Sequence, residues 1–342
     1  MKKSLLLTAC LVLLTCLYAQ PEKDLVLEGI ELHDKGNFNA AIEKYDAALK
    51  VNPKYYYGHY EKAITLYALA KYAESLEIIR MILSTYPDHE GTAMLYSSYG
   101  NCYDMLKQPD KAIEAYNEGL ARFPGTALLH FNKAITYYNG GKTAAANTSV
   151  QESIRLNPFH ASSHNILAQV NSQNKVYSLM ARLFMLAIEP NGARAAKTRE
   201  TVEELIGANV KLNDDKSINI TMSLPSPGDK PTMNDFHQSE IVMGMGAALN
   251  LDDKYKGESR PQRLKRNLEA IFGTMSPTKE SLGFGWEFYQ PFFHDLVKNK
   301  HLETFSHLVY SSADDAANTK WLADNSFKVQ EFRTWFRAYF EA

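Results

Sequence analysis

His294, His301 and His307 fall close to Asp295 and Glu303, the one grouping in the chain with the residue types of a metal site. Imidazoles on a helix converge on a metal at a spacing of four, but these are seven and six apart, with no His-Glu-x-x-His order. A step of seven returns to nearly the same helix face, so His294 and His301 would meet only if one helix ran unbroken through Asn299. Phosphate patterns are as incomplete. Gly140-Gly141-Lys142-Thr143 has the ending of a phosphate-binding loop, yet Thr136 stands where its first glycine belongs and no strand precedes it. Gly244-Met245-Gly246 is followed by Leu249 where a dinucleotide fingerprint needs its third glycine. Cys102 has no paired-cysteine motif around it and reads as a small buried residue. No catalytic residue, metal or cofactor is therefore assigned, and a non-enzymatic role is expected.

What remains is recognition, and that depends on the elements that position the aromatic residues. Pro53, Pro87, Pro124, Pro158 and Pro190 stand 34, 37, 34 and 32 residues apart. Each of the first four closes the same alternation of small and large residues. In the third copy Tyr96, Tyr99, Gly100 and Tyr103 are followed by Ala112, Tyr116 and Pro124. The first has Gly29, Leu32, Gly36, Phe38, Ala41, Tyr45, Ala48 and Pro53, and the second Ala63, Leu66, Tyr72, Ser75, Ile79, Ile82 and Pro87. The fourth has Ala134, Tyr137, Gly141, Ala146, Val150, Ser153 and Pro158. Small residues let two helices approach, large ones fill the space between them, and proline ends the second helix. The bulkier second helix of the second copy predicts looser or shifted packing there. Three extra residues around His89-Glu90-Gly91 lengthen the loop before the third.

This pattern closely resembles the tetratricopeptide repeat (TPR), a helix-turn-helix unit of about 34 residues. The resemblance implies an all-α fold: a right-handed α-solenoid of four clear repeats, about 22–55, 56–89, 93–126 and 127–160. A degenerate fifth at 161–192 runs through Leu167, Ala168, Tyr177, Phe184, Ala187 and Pro190, with Met180 in a small-residue slot. It also implies that the first helices build a concave wall. Carried across residue by residue, the inward slots are Val26, Ile30 and His33, then Tyr57, Tyr60, Ile64 and Tyr67, then Met94, Ser97, Asn101 and Asp104. Leu128, Phe131, Ile135, Tyr138 and Asn139 follow, and the fifth repeat adds Asn165 and Gln169. The basic clamp that holds a C-terminal carboxylate in some members has no counterpart in these slots. A protein or peptide segment is the expected partner, lying on Tyr57, Tyr60, Ile64, Tyr67, Met94, Asn101, Phe131, Ile135 and Tyr138. Tyrosines there would supply contact area and a hydroxyl. The competing reading fills this groove with the chain's own C-terminal part.

After Pro190 the period is lost. Ala195, Thr198, Val202, Leu205 and Ile206 predict a capping helix, and the alternation around Val210, Leu212, Ile218, Ile220, Met222 and Leu224 predicts a short β-hairpin. Ser223 to Thr232 reads as a linker, which puts capping helix, hairpin and linker at 193–232 and a mainly helical C-terminal domain at 233–342. In that domain Lys254, Lys256, Arg260, Arg263, Lys265 and Arg266 interleave with acids as a solvated loop and helix start. Phe284, Trp286, Phe288, Tyr289, Phe292 and Phe293, interrupted by Pro291, read as core, as do Phe332, Trp335, Phe336 and Tyr339. An unrecognised hydrolase or ligand-binding module here is the alternative function, and the histidine grouping is its support.

Lys2-Lys3, the apolar run Leu5 to Leu17 and Tyr18-Ala19-Gln20 have the three parts of a bacterial signal peptide over residues 1–19, cut after Ala19. The rival reading lipidates Cys16, although Thr15 is a poor residue before such a cysteine; simple cleavage is favoured. The apolar run is too short for a transmembrane helix, and no later stretch qualifies. An exported protein, periplasmic or secreted, is expected. The 37 basic side chains fall to 35 without Lys2 and Lys3, against 39 acidic ones, which argues against nucleic-acid binding or a polybasic membrane anchor.

Overall fold

The computed structural model describes residues 20–214, 217–221, 233–277 and 282–341. The predicted signal peptide with Cys16, the Asp215-Lys216 turn and the linker from Ser223 to Thr232 lie outside them. The chain forms two compact units, one ending at Gly140 and the other beginning at Gly141. This division falls inside the fourth repeat, not at the end of the fifth.

The first unit is a row of helices: α1 (Pro21–Asp34), α2 (Phe38–Val51), α3 (Tyr56–Ala68), α4 (Tyr72–Thr85), α5 (Thr92–Met105), α6 (Pro109–Arg122) and α7 (Ala127–Asn139). The first three predicted repeats each pair their two helices, α1 with α2, α3 with α4 and α5 with α6. Close approach depends on glycines that face tyrosine rings. A Cβ on Gly29 would stand 2.3 Å from Tyr45, and one on Gly100 2.1 Å from Tyr116. In the second repeat Ser75, Ile79 and Ile82 are fully buried. Ser75 is small enough to donate its hydroxyl to the Ala63 carbonyl at 2.8 Å, which closes the gap. The extra loop before α5 is folded down, with His89 stacked on Tyr56 at 3.5 Å between ring centroids.

The second unit continues with α8 (Thr143–Leu156), α9 (Ala161–Val170), α10 (Lys175–Ile188) and α11 (Ala193–Gly207). The hairpin follows as predicted: β1 (Val210–Leu212) pairs antiparallel with β2 (Ile218–Ile220), Val210 opposite Ile220 and Leu212 opposite Ile218. Then come α12 (His237–Leu249), α13 (Arg260–Gly273), α14 (Gln290–Lys298), α15 (Leu302–Val309), α16 (Ala316–Asp324) and α17 (Ser326–Glu341). Ser259 and Gln262 close a capping box on α13, and Arg266 from the basic run reaches both oxygens of Glu258. The run is thus helix start and ion pair. A widened π-helical turn, Gly285–Tyr289, leads into α14 at Pro291, whose missing N–H such a turn tolerates.

The reason the fifth repeat belongs to this unit is α10. Leu179, Met180, Ala181, Leu183, Phe184, Met185 and Leu186 are all fully buried, and a helix apolar all round must be covered on every side. Phe184 meets Phe288, Phe292, Phe336 and Phe340 at 4.9–5.4 Å between centroids. The C-terminal aromatics predicted as core therefore pack on the repeat helices of their own unit.

Candidate functional site

Helical spacing puts Tyr57, Tyr60, Ile64 and Tyr67 on one face of α3, and Phe131, Ile135 and Tyr138 on one face of α7. Tyr57, Met94 and Tyr138 are exposed, at 41%, 47% and 36%. Tyr60, Ile64, Tyr67, Asn101, Phe131 and Ile135 are half-buried. Tyr60 stacks on Tyr56 with centroids 5.9 Å apart, and Tyr67 meets Tyr72 edge-on at 5.3 Å, so two of the wall's rings are held by neighbours.

A cleft of about 660 Å³ opens between α3, α5 and α7. It gathers three of the nine predicted wall residues, Tyr67, Asn101 and Ile135, together with Asp104, Met105, Asn132, Thr136 and Asn139. Tyr57, Tyr60, Ile64, Met94, Phe131 and Tyr138 do not line it. Its floor is hydrogen-bonded: Tyr116, fully buried between α5 and α6, donates to Asn101 Oδ1 at 2.7 Å and to Asp104 Oδ2 at 3.2 Å. The Thr136 hydroxyl also donates to Asp104, and Asn132 Nδ2 donates to Ser97 Oγ at 2.6 Å. Burial pushes the Asp104 carboxyl up, partly offset by the hydrogen bonds from Thr136 and Tyr116 and by the Lys107 charge. Asn132 and Thr136 were missed among the inward slots, although both fall on the α7 face of Ile135 and Asn139.

The wall is not uncharged. Glu61 lies on the face of α3 that carries Tyr57 and Ile64, and burial, then the charge of Asp34, hold its carboxyl above the usual range. Glu61 could have been found from its spacing to Tyr57 and Ile64 alone.

Residues 57–125 and 103–161 match two family models described as tetratricopeptide repeat. Residues 57–161 are therefore a tetratricopeptide-repeat segment. Over 110 residues it is 29% identical to a TPR repeat-containing protein of Methanocaldococcus jannaschii, covering 32% of this chain and 33% of that one. Over 161 residues it is 24% identical to the Hsp70-Hsp90 organising protein of Plasmodium falciparum, covering 38% of this chain and 28% of that one. The matches thus span about a third or less of these relatives. Among solved structures, a TPR protein of Thermus thermophilus covers 54% of this chain and 98% of its own, at 19% identity and a TM-score of 0.44.

Apart from the exposed His294, the catalytic candidates are taken up by packing and turns. Lys300, with φ +61°, ends the turn after α14, so no unbroken helix joins His294 to His301. His294 is exposed, whereas His301 packs against Trp335 at 4.7 Å. His307 stacks on Trp321 at 3.6 Å and its Nδ1 meets Asn318 Oδ1 at 2.7 Å. Among the described residues no three His, Cys, Asp or Glu side chains are grouped to hold a metal. Gly244 and Gly246 lie inside α12, where they admit Ile220 and Asn267. Gly141, with φ +71°, makes the turn after α7. Cys102 is fully buried and its thiol donates to Ser75 Oγ at 3.5 Å. No described helix is long and apolar enough to cross a membrane.

Proposed function

We propose that this protein is a non-enzymatic interaction scaffold that binds a segment of a protein partner along the wall formed by α3, α5 and α7. The observation that carries this reading is the cleft itself: aromatic and aliphatic side chains around a floor of fixed amides, hydroxyls and one carboxylate. Apolar burial on Tyr67 and Ile135 in the cleft, and on Phe131 one turn before Ile135 on α7, supplies affinity, while Asn101, Asn132 and Asn139 can pair with the polar backbone of an extended segment. Two truncated aromatic anchors at the centre of such an interface weaken binding by roughly a hundredfold or more. Tyr67→Ala with Phe131→Ala is therefore expected to abolish co-purification of the partner while the helical circular dichroism is retained. Unchanged recovery by a folded variant would place the site elsewhere.

The Lys2-Lys3 leader supports an exported protein, a bacterial envelope adaptor cleaved after Ala19. Intact-mass measurement on protein from a bacterial host is expected to show a chain beginning at Gln20. A chain starting at a diacylated Cys16 would make it a lipoprotein instead, and an uncleaved Met1 would remove the export reading.

A further inference from the structure

The inward face of residues 20–140 pairs aromatic rings with two carboxylates, Glu61 and Asp104, that close no salt bridge among the described residues, although the charge of Lys107 reaches Asp104. Glu61 forms no hydrogen bond or ion pair among the described residues and shares its surroundings with Asp34. Asp104 accepts only from neutral hydroxyls, those of Tyr116 and Thr136. Both carboxylates are half-buried, and burial raises the pKa of each. In the slot of the first repeat that corresponds to Tyr116, the fully buried Tyr45 hydroxyl lies near Thr65 but closes no hydrogen bond of good geometry. Burial, then the charges of Glu61 and Asp34, keep it protonated against the pull of Thr65. Bases stand only at the margins of this face: Lys23 in the first turn of α1, His33 with Nδ1 on Thr65 Oγ1 at 2.7 Å, and exposed Lys107 at the rim of the cleft.

A half-desolvated carboxylate is costly until a cation reaches it, and the faces of tyrosine rings attract cations as well. An acidic segment would meet like charge at both positions and lose its own hydration. We infer that the wall selects a partner segment bearing lysine or arginine, whose cationic heads pair with Asp104 and Glu61 while its apolar residues lie along Tyr57, Tyr60 and Tyr67. This inference rests on the proposed use of the wall as a peptide site and names the chemistry of what it takes.

Fluorescence anisotropy with the full chain tests it, using three labelled peptides that share their apolar residues and carry lysine, glutamine or glutamate at the remaining positions. The lysine peptide is expected to bind about tenfold or more tightly than the glutamine peptide at low salt, and the glutamate peptide most weakly. Glu61→Gln with Asp104→Asn should erase most of that preference. Glu43→Gln with Glu114→Gln, the same charge change at exposed positions of α2 and α6, should leave it intact. Equal binding of the three peptides, no measurable binding of the lysine peptide, or an equal response to the two double variants would overturn the inference. Tyr67→Ala with Phe131→Ala separates the two readings. If it abolishes binding of all three peptides and none is preferred, the wall is a peptide site and only the charge selection fails. If lysine-peptide binding survives it, the wall itself is not the site.

Discussion

Gly100→Ala is expected to cost the unit of residues 20–140 about 3 kcal/mol or more, the upper range for overpacking a core. A Cβ at Gly100 would lie 2.1, 2.4 and 2.6 Å from Cε1, Cζ and Cδ1 of Tyr116, distances that real atoms do not reach. The ring has no room to yield. It is fully buried between α5 and α6, and its hydroxyl is tied to Asn101 and Asp104. Either the two helices part or the ring swings out and surrenders the cleft floor, so stability and binding should fall together. At about 4 °C per kcal/mol for a unit of this size, the melting temperature should drop by roughly 10 °C. Gly125→Ala is the control, because nothing stands within 4 Å of its Cβ position and its φ is ordinary. Calorimetry showing the two variants alike would mean that the Gly100–Tyr116 interlock does not hold α5 to α6.

Acid should weaken the other unit through His164. The imidazole is fully buried against Phe184 at 4.4 Å, with Nδ1 on the Tyr289 hydroxyl at 2.7 Å and Nε2 on the Pro158 carbonyl at 2.8 Å. Burial lowers its pKa to about 3; the Pro158 carbonyl opposes this and the neighbouring His160 adds to it. The unfolded chain takes up this proton near pH 6.5, whereas the native unit resists it until about pH 3. Stability present above pH 6.5 is therefore lost as pH falls, by about 2 kcal/mol at pH 5 and about 4 kcal/mol at pH 3. The carboxyls of Glu61 and Asp104 have the opposite sign. Their raised pKa values mean that the first unit gains stability as pH falls through them toward the ordinary carboxyl range.

All three tryptophans, Trp286, Trp321 and Trp335, lie in the second unit, so their fluorescence during urea unfolding reports on it alone. The midpoint should fall between pH 7 and pH 5, and His164→Gln should flatten that dependence while lowering stability at pH 7. An unchanged slope in the variant would contradict the assignment.

The repeats were legible because the contacts they specify are local. Gly29 against Tyr45 and Gly100 against Tyr116 are size-complementary pairs sixteen residues apart, recurring with the proline ladder. The hairpin was legible from the alternation of Val210, Leu212, Ile218 and Ile220 between turn residues. The burial of α10 on nearly every side was not, because what covers it comes from afar: Phe184 meets Phe288, Phe292 and Phe336 near the C-terminal end. The break between α14 and α15 was hidden because Lys300, not glycine, takes the left-handed turn. At the wall, the resemblance selected the inward slots and drew attention to the tyrosines. It passed over Glu61, Asn132 and Thr136, although helical spacing to Tyr57 and Ile64 and to Ile135 and Asn139 puts them on the same faces.

Co-purification of the full chain with its partner, carrying Tyr67→Ala and Phe131→Ala or Tyr138→Arg, bears most directly on the wall as a binding surface. Tyr138 is exposed, so its replacement tests the surface without opening the core. Loss of the partner from both variants, with helical content and thermal transition retained in Tyr138→Arg, is the result expected. Full recovery of the partner by both folded variants would contradict a role for this wall.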